Sequence, residues 1–173
     1  MRMRTSIFLA VLFFVSVAGC GGVYDYRLVN VQSISMDGQL PGDVSLKVAS
    51  EDIYHHSLGI KSYRLFVKDA IERQYKDSLG KCFEKGINDN AETGIIITVL
   101  DTSTFPISTI INDIRLFFRI EIMKKGDVKM EKQKTVMIYG FGSDPDGNKA
   151  MEKAVGNSVY QLLPILEEMF IRH

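Results

Sequence analysis

Hydrophobic and polar positions alternate most regularly from Asp113 to Met123, where Ile114, Leu116, Phe118, Ile120 and Ile122 fall on one side and Arg115, Arg119 and Glu121 on the other. A period of two is that of a strand with one buried face. Lys125-Gly126-Asp127 supplies a turn and Val128 to Phe141 returns as a partner, so residues 113–141 are expected to form a long β-hairpin. Phe117 and Met123 on the otherwise polar face, with Met137, Tyr139 and Phe141 in the return strand, imply that the second face is partly covered, by the same fold or by a partner.

Elsewhere the period changes. Val67, Ala70, Ile71, Tyr75, Leu79, Cys82 and Phe83 recur at three- and four-residue steps, predicting a helix from about Ser62 to Lys85 with Ser62 as its cap and Gly86 as its stop. A second apolar stripe of Ala150, Met151, Ala154, Val155, Val159, Leu162, Leu166, Met169 and Phe170 predicts a final helix. Asp144-Pro145-Asp146-Gly147-Asn148 leads into it, and Pro164 removes one of its backbone donors, which predicts a kink near Tyr160. Val44, Leu46 and Val48 alternate as a half-buried strand, and Gly94 to Leu100 is a near-continuous apolar strand suited to the middle of a sheet. Glu51 to Lys61 is polar and reads as irregular. Tyr24, Tyr26 and Leu28 alternate within a stretch that is either a strand or a tether. The expected class is α+β: a mixed or antiparallel sheet of about four to five strands with two long helices packed on one face.

The first residues follow neither pattern. Arg2 and Arg4 precede an apolar run from Ile7 to Ala18, followed by Gly19 and Cys20. As a helix that run would reach roughly 18 Å, against a hydrocarbon thickness of about 30 Å, so it is too short to span comfortably. A basic start, a short apolar core and small residues at its end form a secretory signal. Val17-Ala18-Gly19-Cys20 resembles the lipobox of bacterial lipoproteins, an aliphatic residue and two small ones before the cysteine. That resemblance implies a signal peptide over 1–19 and acyl chains on Cys20; by length and element order, residues 20–42 are then a lipidated N-terminus and tether or strand, and 43–173 a single α+β domain. Two or three chains make such attachment close to permanent. The resemblance also implies a lipid anchor in the outer membrane facing the periplasm, since Gly21 stands where an Asp would favour inner-membrane retention; a cytoplasmic-membrane anchor is the alternative.

Charge and composition narrow the rest. The chain carries 21 basic and 21 acidic residues, and loss of Arg2 and Arg4 with the signal leaves a small acidic excess, which is not the balance of a nucleic-acid protein. With Cys20 acylated, Cys82 has no intramolecular partner for a disulfide. Its place beside Phe83 on an apolar helix face predicts a buried thiol. Lys124, Lys125, Lys129, Lys132 and Lys134 crowd the hairpin turn, where lysines on exposed strands oppose edge-to-edge aggregation; a basic tip touching anionic lipid is the other reading.

Chemistry is sparse. His55-His56 is the one place where metal ligands sit close together, but neighbours in a regular element point apart and no third ligand stands nearby; a solvated loop is expected. The Asp144–Asn148 turn resembles the start of a calcium loop, yet Lys149 and Val155 occupy the positions of its Gly and its Glu. No nucleophile elbow, phosphate-cradling loop or Cys-x-x-Cys motif is present. The expectation is therefore no catalytic residue, no metal site and no cofactor.

The order of elements after the lipobox, with the final helix opening as Asn148-Lys149-Ala150-Met151-Glu152-Lys153-Ala154-Val155-Gly156-Asn157-Ser158, resembles the YajG-like family of small outer-membrane lipoproteins. A looser resemblance extends to the lipopolysaccharide-assembly lipoprotein and to the auxiliary lipoproteins of ABC-type lipid transport. The resemblance implies a non-enzymatic lipoprotein that binds or scaffolds an envelope protein partner; a lipid- or small-molecule-binding module with an apolar pocket between sheet and helices is the alternative. For a contact protein the outer face of the hairpin is the expected surface, with Phe117, Met123, Met137, Tyr139 and Phe141 as anchors and Arg115, Arg119 and the lysines as rim.

Overall fold

The alternation from Asp113 to Met123 holds in three dimensions: Ile114, Leu116, Phe118, Ile120 and Ile122 are wholly buried. The computed structural model describes residues 22–34, 36, 39–59, 61–106, 111–124 and 132–171. In chain order these form β1 (Val23–Tyr26), β2 (Val44–Ala49), β3 (Tyr54–Leu58), β4 (Lys61–Leu65), α1 (Val67–Cys82), β5 (Thr93–Pro106), β6 (Asn112–Lys124), β7 (Lys132–Asp144) and α2 (Gly147–Phe170). The class is α+β, as expected. The strands divide, however, into two sheets, β2-β5-β6-β7 and β1-β4-β3.

In the larger sheet β6 and β7 pair without a register shift from Asn112↔Asp144 to Lys124↔Lys132, while β5 carries a bulge between Val99 and Asp101. β2 joins it in parallel. Ile95, Ile97 and Ile138 point to the same side as the buried β6 residues and meet the two helices there. α2 crosses β6 and β7, and α1 packs on β2 and beside α2.

α2 sits unusually close to the sheet because Gly140 and Gly142 face it. A Cβ at Gly142 would run into the Ala150 carbonyl, and one at Gly140 into that of Ala154. The helix also caps part of the outer edge of β7: Lys153, Asn157 and Gln161 donate to the carbonyls of Ser143, Phe141 and Tyr139 at 3.1, 2.7 and 2.7 Å. Four helical residues rise about 6 Å, nearly the advance of two strand residues, so side chains at that spacing can follow every second carbonyl.

Three expectations are corrected. Glu51 to Lys61 is not irregular: β3 and β4 form an antiparallel hairpin turned at Gly59, whose φ is +59°. The first helix starts at Val67 and ends at Cys82, and Ser62 lies in β4 with its N–H on the Gly22 carbonyl. Phe66 precedes the helix without a side-chain cap. The strand expected at Gly94 to Leu100 continues to Pro106. In contrast, Asp146 caps α2 by accepting from the Asn148 N–H at 2.9 Å, the role its turn predicts. Pro164 lies inside α2, which continues past it to Phe170.

The N-terminal stretch is built into the fold. β1 runs parallel to β4, and the chain then passes extended along the two helices, with Leu28 and Ile34 buried. Its backbone groups, which no strand satisfies, find side chains instead. Arg73 donates to the Leu28 carbonyl at 2.7 Å, and Gln74 exchanges two 2.8 Å bonds with the Gln32 backbone. Asn148 and Glu152 accept from the N–H groups of Arg27 and Asn30. Gly156 leaves the room that the Gln32 side chain fills, since a Cβ there would strike it.

Candidate functional site

The helices cover one face of the large sheet and leave the other open. On the open face cross-strand register builds three rows: Asp101–Phe117–Tyr139, Ser103–Arg115–Phe141 and Thr98–Arg119–Met137. Phe117, Met137, Tyr139 and Phe141 are 37, 53, 43 and 37 % exposed, amounts that place them on the surface and not under a second layer. They alternate with buried residues, so the same periodicity that drives Phe118 and Ile138 into the core projects them into water.

Charge is interleaved with these side chains. Arg119 Nε lies 3.5 Å from the Glu121 carboxylate, and Arg115 stands between Ser103 and Phe141 in its row. Asp101, Ser103, Arg115, Phe117 and Tyr139 line a cavity of about 360 Å³. Aromatic faces beside a guanidinium suit recognition of a partner that brings apolar surface together with carboxylate or phosphate oxygens.

The structure sorts the expected residues. Phe117, Met137, Tyr139 and Phe141 come together with Arg115 and Arg119. Met123 is half-buried, its methyl 3.4 Å from where a Cβ at Gly94 would lie, and it fills the space that glycine leaves. Lys134 does not belong to the rim: it pairs in register with buried Ile122 and reaches Glu168 on α2 at 2.7 Å. The side chains of Lys124 and Lys132, and all of Lys125 and Lys129, fall outside the described residues, as does Cys20. Sequence reasoning missed Asp101 and Ser103, because the apolar run that marks β5 stops at Leu100. The alternation of Asp101-Thr102-Ser103-Thr104, with both threonines buried, was the available signal.

The other candidates have structural partners. His56 Nε2 lies 2.9 Å from Thr102 Oγ1, linking β3 to β5, and burial pushes its imidazole below its ordinary value. His55 points to the opposite side of β3, in register with Arg64. Among the described residues no three His, Cys, Asp or Glu side chains converge on a point where a metal could sit. Cys82 is buried, and that burial raises its thiol.

No known family model matches the sequence, and no curated protein matches it. The fold is similar to that of protein XCC0632 from Xanthomonas campestris, of the family DUF330, with a TM-score of 0.53 at 10 % identity over 86 % of this chain and 98 % of that one. It also overlaps the hypothetical protein CT253 from Chlamydia trachomatis, with a TM-score of 0.49 at 11 % identity over 76 % of this chain and 99 % of that one. The first likeness shows a shared fold and, at such identity, nothing about shared residues.

Proposed function

We propose that the protein is a lipid-anchored envelope lipoprotein that works by contact and not by catalysis. In this reading Cys20 carries acyl chains that hold the domain on the periplasmic side of the outer membrane, and the open face of the β2-β5-β6-β7 sheet binds a protein component of an envelope-assembly or lipid-transport complex. The observation that carries the reading is the set of Phe117, Met137, Tyr139 and Phe141, exposed in adjacent rows on rigid paired strands and bordered by Arg115 and Arg119. A contact surface needs anchors of this kind on a fixed scaffold, whereas catalysis needs a nucleophile, an acid–base group and a charge stabiliser held together. Asp101, Ser103 and Arg115 do share a cavity on this face, and in this reading they are the polar groups among the anchors.

The cavity at Asp101, Ser103, Arg115, Phe117 and Tyr139 favours a second reading. At about 360 Å³ it falls within the size of small-molecule sites, and it would hold an amphiphile on the outer face instead of between sheet and helices.

The test combines charge reversal with removal of the anchor. Arg115→Glu with Arg119→Glu, folding verified by thermal melt, should lose the partner that co-purifies from detergent-solubilised envelopes. Unchanged co-purification with an intact fold sinks the proposed surface. In Cys20→Ala, incorporation of a fatty-acid analogue should vanish; persistent label removes the anchor from the reading.

A further inference from the structure

The end of the small sheet nearest the proposed anchor has its own surface chemistry. β1 begins at Val23, three positions after Cys20. Three extended residues reach about 10 Å, while the headgroup layer on one side of a bilayer is roughly 5–8 Å thick. If Cys20 is acylated, as the proposed function holds, no spacer separates the domain from the lipid. Whatever surrounds Val23 then lies in or against the headgroups.

What surrounds it is aliphatic, aromatic and basic, and the one carboxylate on β1 is paired. Gly22 accepts from the Ser62 N–H at 3.0 Å and Val23 pairs with Ser62, which brings the start of β1 beside the turn of the β3–β4 hairpin. Val23 is 63 % exposed and Leu58, at the hairpin turn, 51 %. The exposed Tyr24 stacks on Tyr63, with ring centroids 5.4 Å apart, and the Lys61 ammonium lies 5.8 Å from the Tyr24 ring. No Asp or Glu occurs between Asp52 and Asp69. The nearest carboxylate on β1, Asp25, is held by Arg64 through bonds of 2.6 and 2.8 Å. Aliphatic side chains, a tyrosine and a lysine at one end of a sheet are the groups that enter an interface: the first seek acyl chains, the ring sits at headgroup depth, and the ammonium reaches lipid phosphates.

We infer that Val23, Tyr24, Leu58 and Lys61 form a membrane-contacting tip that inserts shallowly into the leaflet holding the Cys20 acyl chains, and so fixes the orientation of the domain on the bilayer. The chain length between anchor and tip selects lipid as the occupant: a protein partner would have to fit into a gap that the acyl chains keep closed. This orients the molecule through a second, non-covalent contact, whereas a lone acylated cysteine would leave it free to swivel.

The sequence contains no Trp, so a single introduced Trp reports on its own surroundings. Full-length protein, acylated in cells and verified by mass at Cys20, is reconstituted into phosphatidylethanolamine–phosphatidylglycerol vesicles as Leu58→Trp, with Tyr160→Trp on exposed α2 as the reference. The L58W protein should show blue-shifted emission, at least halved by acyl-brominated lipid, and the Y160W protein should show neither. Val23→Trp repeats the measurement should L58W fail to fold. Acylated, vesicle-bound protein whose L58W and V23W emission matches Y160W overturns the tip while leaving the anchor standing. A blue shift that brominated lipid does not quench means that protein covers the tip, and overturns it too. Absence of acyl mass on Cys20 overturns the anchor and the tip with it.

Discussion

The Tyr75 hydroxyl donates to Ser158 Oγ at 2.8 Å, and neither residue is exposed to solvent, so a single buried hydrogen bond joins α1 to α2. Burial pushes the Tyr75 phenol far above its ordinary value, which favours the protonated, donating form. Ser158 passes its own O–H to the Val155 carbonyl at 2.6 Å. Ser158→Ala leaves the phenol buried without its acceptor and should cost about 1–3 kcal/mol; Tyr75→Phe, which leaves Ser158 donating to Val155, should cost about 1 kcal/mol. The double variant should be no less stable than Ser158→Ala alone. Urea midpoints at constant slope measure all three.

The contact of Gly142 with α2 predicts a larger loss. Overpacking a core with one methyl usually costs about 1–3 kcal/mol, and here the methyl would meet helix backbone, which cannot rotate away. Gly142→Ala should therefore reach or exceed the top of that range. Gly59→Ala is the comparison: at φ +59° with nothing within 4 Å, it pays only left-handed strain, about 1–2 kcal/mol. A Gly142→Ala melt no lower than that of Gly59→Ala would show that the helix can lift from the strand.

Stability should fall in acid in two steps. Arg64 hydrogen-bonded to Asp25, and Lys153 to Asp144, hold both carboxyls below their ordinary range. A carboxyl depressed in the folded state contributes stability that is full above the unfolded value, about 3.9, and is lost as pH falls through the folded value. His56 is also depressed, so its proton binds the unfolded chain first and erodes stability as pH drops below about 6.5. Melting temperature should decline below that pH and decline further below about 4. His56→Gln should remove the first slope, and Asp25→Asn with Asp144→Asn should flatten the second.

Cys82 should resist maleimide in the native protein and react at once in denaturant. The thiol is wholly buried among the α1 core residues, and the same burial disfavours its thiolate. Fast native labelling, read by mass, would mean that α1 opens locally.

The β6–β7 hairpin was legible because each strand has one buried face, and a one-residue slip would turn Ile114, Leu116, Phe118, Ile120 and Ile122 out together. The β3–β4 hairpin was not. Tyr54-His55-His56-Ser57-Leu58 has no apolar alternation, and Tyr63, although in β4, falls on the same three- and four-residue steps as Val67, Ala70 and Ile71, so the helix pattern extends into a strand. The split into two sheets rests on pairings such as Val23↔Ser62, whose partners lie far apart in the chain and carry no local signature. At the candidate site the pattern named Phe117, Met137, Tyr139 and Phe141 but left open whether another layer covers them. That depends on where α1 and α2 pack, and both take the opposite face.

The ladder from Lys153, Asn157 and Gln161 to β7 has a consequence for how the chain matures. β7 can zip onto β6 as soon as both are made, but α2 follows it in sequence. Until that helix docks, the carbonyls of Tyr139, Phe141 and Ser143 on the border of the young sheet stay bare, able to recruit a strand from any neighbouring chain. Loss of α2 would do more than lower a melting point. It would reopen that border, and the shortened protein should be recovered as fibrous aggregate instead of as a loosened monomer.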